Sequence, residues 1–168
     1  MIFILISCLA WIHAALPPRP VPRTSSHLFV ESGTFEGGSP LSANLEGIRF
    51  SRNPKDSSER WVIDFSDART RTYQQIAPEF QVRLVPETKW TPARILIYLS
   101  SIKANYLEPR TLKTLLRKSH LIQNIRIYPP IEDGDRAIEL ILKETVLWEP
   151  NQPLQKEGRL VLDLKPKP

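Results

Sequence analysis

Glu59-Arg60-Trp61-Val62-Ile63-Asp64-Phe65 alternates between apolar and polar side chains. Successive side chains of an extended segment point to opposite faces, so Trp61, Ile63 and Phe65 share one face. The pattern predicts a strand lying on a core. Asn53-Pro54-Lys55-Asp56 is a turn region that separates this strand from the shorter Ile48-Arg49-Phe50. Downstream, residues 80–85 end at Pro86, and residues 95–99 begin after Pro92 and are rich in β-branched side chains. These are signals of antiparallel strands punctuated by turns.

The same order then returns. Ile125-Arg126-Ile127 matches Ile48-Arg49-Phe50 at an offset of 77 residues. After the turn at Asp133-Gly134, residues 137–142 match the Trp61 strand, with an offset of 76 between Arg60 and Arg136 and 75 between Asp64 and Glu139. Residues 145–148 follow and stop near Pro150, and Gly158-Arg159-Leu160-Val161-Leu162-Asp163-Leu164 matches residues 93–99. A slip of one residue exchanges buried and exposed faces, so the register of the second copy is the weak point of the match. Two copies of four short strands predict an all-β fold: a pseudo-symmetric β-sandwich of two related four-stranded halves stacked face to face, with one short helical insert. The expected core is Trp61, Ile63, Phe65, Ile95, Ile97, Leu99, Leu160, Leu162 and Leu164. Arg60, Arg94, Arg136 and Arg159 each open a strand and are expected at exposed strand ends.

Leu45-Glu46-Gly47-Ile48-Arg49-Phe50, Glu59-Arg60-Trp61-Val62-Ile63-Asp64-Phe65 and the closing Gly158-to-Leu164 segment together resemble the AMIN domain. That family is built on an Ile-Arg strand, an Arg-led apolar strand ending in Asp-aliphatic, and a final Arg-Leu-Val-Asp strand. It precedes periplasmic N-acetylmuramoyl-alanine amidases, which it directs to the septal wall, and it also occurs in secretins of type IV pili. The resemblance covers residues 45–165. It implies two packed four-stranded sheets, a non-catalytic role, and peptidoglycan or another anionic wall polymer as partner. The alternative it implies is a protein contact with a secretin, pilus or amidase component.

Residues 1–15 form an apolar run without a single Asp, Glu, Lys or Arg. Its length fits a signal peptide core better than a bilayer span, and Ala14-Ala15 precede Pro17 and Pro18. We expect a signal peptide or N-terminal anchor, and hence export to the periplasm or cell envelope. Leu5-Ile6-Ser7-Cys8 also resembles a lipoprotein box, so cleavage, retention and lipidation at Cys8 all stay open. Cys8 is the only cysteine, and cleavage after Ala14 or Ala15 would leave no disulfide or thiol chemistry. Residues 16–44, rich in Pro, Gly and Ser, are expected to be a linker. Their two arginines and two glutamates cancel, so the whole net charge of +5 belongs to residues 45–168.

A basic surface suits an anionic partner. Pro109 fits the first turn of a helix in an insert over about 105–121. On that helix Leu112, Leu115 and Leu116 would fall on one face and Arg110, Lys113 and Arg117 on the other. These three cations, with the repeated Arg49 and Arg126, are the candidate ligand-binding residues. Two readings compete for the stripe: a solvated face, or a docking surface for phosphate, carboxylate or an acidic partner. No catalytic, metal or cofactor site is expected. The histidines are His13, His27 and His120, and a catalytic zinc commonly takes three protein ligands from His or His with Glu. Asp64 and Glu139, in related places of the two halves, are expected as exposed mid-strand carboxylates rather than an acid/base pair. A nucleic-acid partner is not expected, because the chain lacks an evident platform of stacking aromatics interleaved with cations.

Overall fold

A computed structural model describes residues 31–72, 77–130, 134–151 and 158–168. The apolar run, Cys8, His13, His27 and the prolines at the start of the expected linker lie outside the described residues. The elements are β1 (Gly33–Gly37), β2 (Ala43–Arg52), β3 (Glu59–Asp67), β4 (Phe80–Val85), β5 (Arg94–Leu99), β6 (Ile102–Asn105), α1 (Pro109–Lys118), β7 (Ile122–Ile127), β8 (Arg136–Leu142), β9 (Val146–Asn151) and β10 (Arg159–Pro166).

They form two five-stranded sheets, ordered β1-β4-β5-β8-β7 and β6-β2-β3-β10-β9. All pairings are antiparallel except β2 with β6. The inward residues of both sheets belong to one buried cluster. Each of the nine expected core side chains is no more than 1% exposed. The strand-period pattern therefore identified the buried face correctly, because β residues i, i+2 and i+4 must lie on the same side.

Three expectations change. First, the two halves are not stacked as separate sheets. β10 pairs with β3, and β5 pairs with β8, so each sheet takes strands from both halves. The exchange gives every central strand two hydrogen-bonded neighbours. Second, β1 lies inside the segment expected to be linker, and β2 begins there at Ala43. β1 covers the edge of β4, where the Phe35 and Phe80 rings sit 5.6 Å apart. The chain then turns at Gly38, where φ is +88° and an added Cβ would stand 2.0 Å from the Pro78 carbonyl oxygen. Only glycine suits both constraints. Third, Arg60 and Arg136 are not equivalent. Arg60 follows the outward parity of β3, whereas Arg136 shares the inward parity of Ile138 and Leu140.

The insert is a helix as expected, but shorter than 105–121. Asn105 ends β6, which runs parallel to β2. Pro109 stands in the first turn of α1, Arg117 and Lys118 lie in the last turn, and Ser119 caps the end through its backbone N–H to the Leu115 carbonyl. Cations near a helix C-terminus are favourable to the dipole. Leu112, Leu115 and Leu116 pack against the core, and α1 touches β7 and β2. No helix among the described residues is long and apolar enough to cross a membrane.

The β3 exit is fastened by Asp67. Its carboxylate accepts hydrogen bonds from the Thr70 and Arg69 backbone N–H groups, each at 2.8 Å, which hold its pKa below the ordinary 3.8. A lowered carboxylate pKa means that the turn gains order above the ordinary value and loses it as pH falls through the lowered one. An NMR titration should place Asp67 below 3.8, with the Arg69 and Thr70 amides following the same curve. A titration at or above the ordinary value would refute this.

Candidate functional site

The two outward sheet faces carry related charge clusters. On the β2-β3-β10 face, Asp64 is held by Arg49 through two bonds, Nε to Oδ2 at 2.5 Å and Nη2 to Oδ1 at 2.7 Å. Arg159 Nε lies 3.2 Å from the same Oδ1. On the β5-β8-β7 face, Glu139 stands between Arg94 and Arg126, each 3.4 Å away, and also accepts a hydrogen bond from the Tyr128 hydroxyl at 2.9 Å. In both places two guanidinium groups share one carboxylate, leaving one positive charge per cluster.

Strand register explains this geometry. Arg159 sits directly across from Asp64, and Arg126 directly across from Glu139, so Cβ atoms of opposite charge lie about 5 Å apart. Arg49 and Arg94 reach their carboxylates diagonally, from positions across from Val62 and Ile141. The carboxylates were expected to be exposed. They are not: Asp64 is 6% and Glu139 3% exposed, because the overlying arginines cover them. The arginines themselves remain at the surface, with the side chains of Arg49 and Arg126 57% and 58% exposed. An exposed guanidinium over a buried carboxylate is oriented by it while much of its surface faces solvent, a geometry that suits a planar anionic group.

Arg60 makes a third pair on the first face, with Nε and Nη2 bonded to the two Asp163 oxygens at 2.7 and 2.8 Å. This hydrogen bond is the main cause that raises the Arg60 pKa. That face is therefore largely self-compensated. Val62 and Val161 are the apolar residues of its centre.

The second face differs. Its first cross-strand row runs Gln81, Tyr98, Ala137, Tyr128, and its second runs Arg83, Leu96, Glu139, Arg126. Tyr98 is 42% and Tyr128 40% exposed. A shallow groove adjoins Tyr98 at the β1 end and is lined by Glu36, Glu79, Gln81 and Ser100. Tyr98 and Tyr128 were absent from the candidate residues. The signal was their outward parity beside Ile97, Leu99 and Ile127.

The helix stripe sits on a third element, and Thr111 and Leu115 of the same helix line a hollow with Arg49 and Arg60. Arg110, Lys113 and Arg117 are exposed on α1, which packs beside β7, the strand of Arg126. Arg49 and Arg126 lie on different sheets, so the five candidate cations do not form one site. Among the described residues no group of three or more His, Cys, Asp or Glu could hold a metal ion. Compared with known proteins, the chain matches no family model and no curated protein.

Proposed function

We propose that this chain is a non-catalytic binding module of the cell envelope whose partner is peptidoglycan. The reading rests on the resemblance to AMIN domains and on one structural observation, the two Arg-carboxylate-Arg clusters on two sheets. Interchanging β2 with β7, β3 with β8, β4 with β9 and β5 with β10 turns the order β2-β3-β10-β9 into β7-β8-β5-β4, the order found in the other sheet. The same interchange carries Arg49 to Arg126 and Arg159 to Arg94. It supports a pseudo-symmetric sandwich with strands exchanged between halves. The register between the copies is 77 residues in both β2/β7 and β3/β8, which brings Trp61 to Ile138 and keeps the core side inward. The carboxylates do not coincide under it. Glu139 takes the place of Val62, so each half has built its arginine bridge from a neighbouring position on the same face.

Exposed arginines with fixed orientation suit the carboxylates of wall stem peptides. Export agrees with the sequence of residues 1–15. The test is co-sedimentation of the protein with purified insoluble peptidoglycan. Binding is expected at low salt and should weaken as the screening length shrinks to about 8 Å at physiological ionic strength. The triple change Arg110, Lys113 and Arg117 to Ser should reduce low-salt binding and move the melting temperature by no more than about a degree or two, since exposed charges add little to folding. Protein that stays in the supernatant at low salt would overturn the proposal. Unchanged sedimentation of the triple variant would remove α1 from the site and leave the sheet faces.

A further inference from the structure

We propose that the row Tyr98-Ala137-Tyr128, with the groove at its β1 end, is a seat for the glycan strand of the wall polymer; this deepens the wall-binding reading and rests on it. Four features of one face converge. Tyr98 and Tyr128 flank Ala137, and all three lie in a single cross-strand row. Neighbouring strands stand about 4.8 Å apart, so the two tyrosines, two strands apart, are separated by roughly 10 Å, about the span of a disaccharide. Both rings are partly exposed on the outer face of a sheet whose other face is buried core, and together they offer aromatic surface to solvent. Ala137 keeps the floor between them low.

The groove extends this line. Beyond Tyr98 it offers Glu36, Glu79, Gln81 and Ser100, acceptors and an amide for sugar hydroxyl and acetamido groups. Gln81 donates from Nε2 to Glu36, which fixes the amide. An acidic groove disfavours the stem-peptide carboxylates, and one row away the opposite sign appears, with Arg83 and Arg126 in the neighbouring row and Arg94 in the next. A chain of neutral sugars carrying acidic peptide branches matches that division: sugar rings along the tyrosine row, branch carboxylates over the arginines. Aromatic rings attract the polarised C–H faces of sugars through the same negative ring face that favours edge contacts and cations. Among the described residues the opposite sheet shows no exposed aromatic row, so the inference is confined to this face.

Two probes separate the parts of the idea: intact insoluble peptidoglycan, and soluble glycan strands stripped of their peptides, with the freed sugar carboxyl groups capped as amides. The full chain is expected to bind both. Tyr98→Ala with Tyr128→Ala should lower affinity for the stripped strands at least tenfold, while Tyr98→Phe with Tyr128→Phe keeps it. Ala137→Gln, which fills the floor without removing a ring, should cause a comparable loss and serves if the double alanine variant does not fold. Arg126→Ser should weaken binding to intact peptidoglycan and spare the stripped strands. If the parent binds intact peptidoglycan but not stripped strands, or if the folded double alanine or Ala137→Gln variant binds stripped strands like the parent, the glycan seat is overturned and wall binding survives. If the parent binds neither, both fall together.

Discussion

Glu59→Ala is expected to lower the unfolding free energy by about 3–5 kcal/mol, because four neutral donors lose their acceptor together and each buried donor left unsatisfied costs about 1–3 kcal/mol before the site relaxes. Glu59 is 1% exposed and begins β3. Its Oε1 accepts the backbone N–H groups of His120 at 2.6 Å and Leu121 at 3.2 Å. Its Oε2 accepts the Ser119 hydroxyl at 2.7 Å and the Trp61 indole N–H at 3.1 Å. One carboxylate thus terminates α1, starts β7 and anchors both to β3. Alanine would strand these donors in a place that water reaches poorly, and an unsatisfied buried donor costs about 1–3 kcal/mol. Glu59→Gln keeps one acceptor oxygen but turns an amide against donors, so a smaller loss of about 1–3 kcal/mol is expected. Urea unfolding followed by tryptophan fluorescence measures both. A loss under about 1 kcal/mol for the alanine variant would mean that the link between α1 and β7 is held by packing alone.

Trp61→Ala is expected to cost about 3–5 kcal/mol, as for a large aromatic removed from a core that relaxes only partly. The ring is 1% exposed and tilts against Phe50, with centroids 5.0 Å apart. The substitution would also remove one of the donors to Glu59. The two losses share a hydrogen bond, so the double variant Glu59→Ala, Trp61→Ala should lose less than the sum of the singles. Trp61→Phe retains most of the packing and should cost distinctly less. A near-neutral Trp61→Ala midpoint would mean that the β3 faces are assigned the wrong way round.

Much of the candidate site was visible as residue types but not as geometry. Arg49 and Arg126 stand out because the Ile-Arg pair recurs. Their carboxylates also stand out, yet were expected in water. Burial of Asp64 and Glu139 comes in part from arginines on strands distant in sequence, Arg159 and Arg94, which reach them because β10 pairs with β3 and β5 with β8. The tyrosine row escaped notice for the same reason. Tyr98 and Tyr128 are 30 residues apart in the chain and become neighbours only across Ala137.

The sequence by itself determined that the described chain is mostly strand, which side of β3, β5 and β10 is core, and that a helix starts at Pro109. Those are local properties, written in the two-residue period of Trp61, Ile63 and Phe65 and in Pro109 before the 3–4 spacing of the leucines. Only the tertiary structure decided that β1 and β6 exist, that β10 pairs with β3 and β5 with β8, and that Glu59 is a latch. β1 is Gly33-Thr34-Phe35-Glu36-Gly37, too polar and glycine-rich to announce a strand, and it forms because the edge of β4 supplies its hydrogen bonds. Strand order depends on which edges meet after the chain has folded, and a buried carboxylate on donors from segments 60 residues away leaves no trace in local pattern.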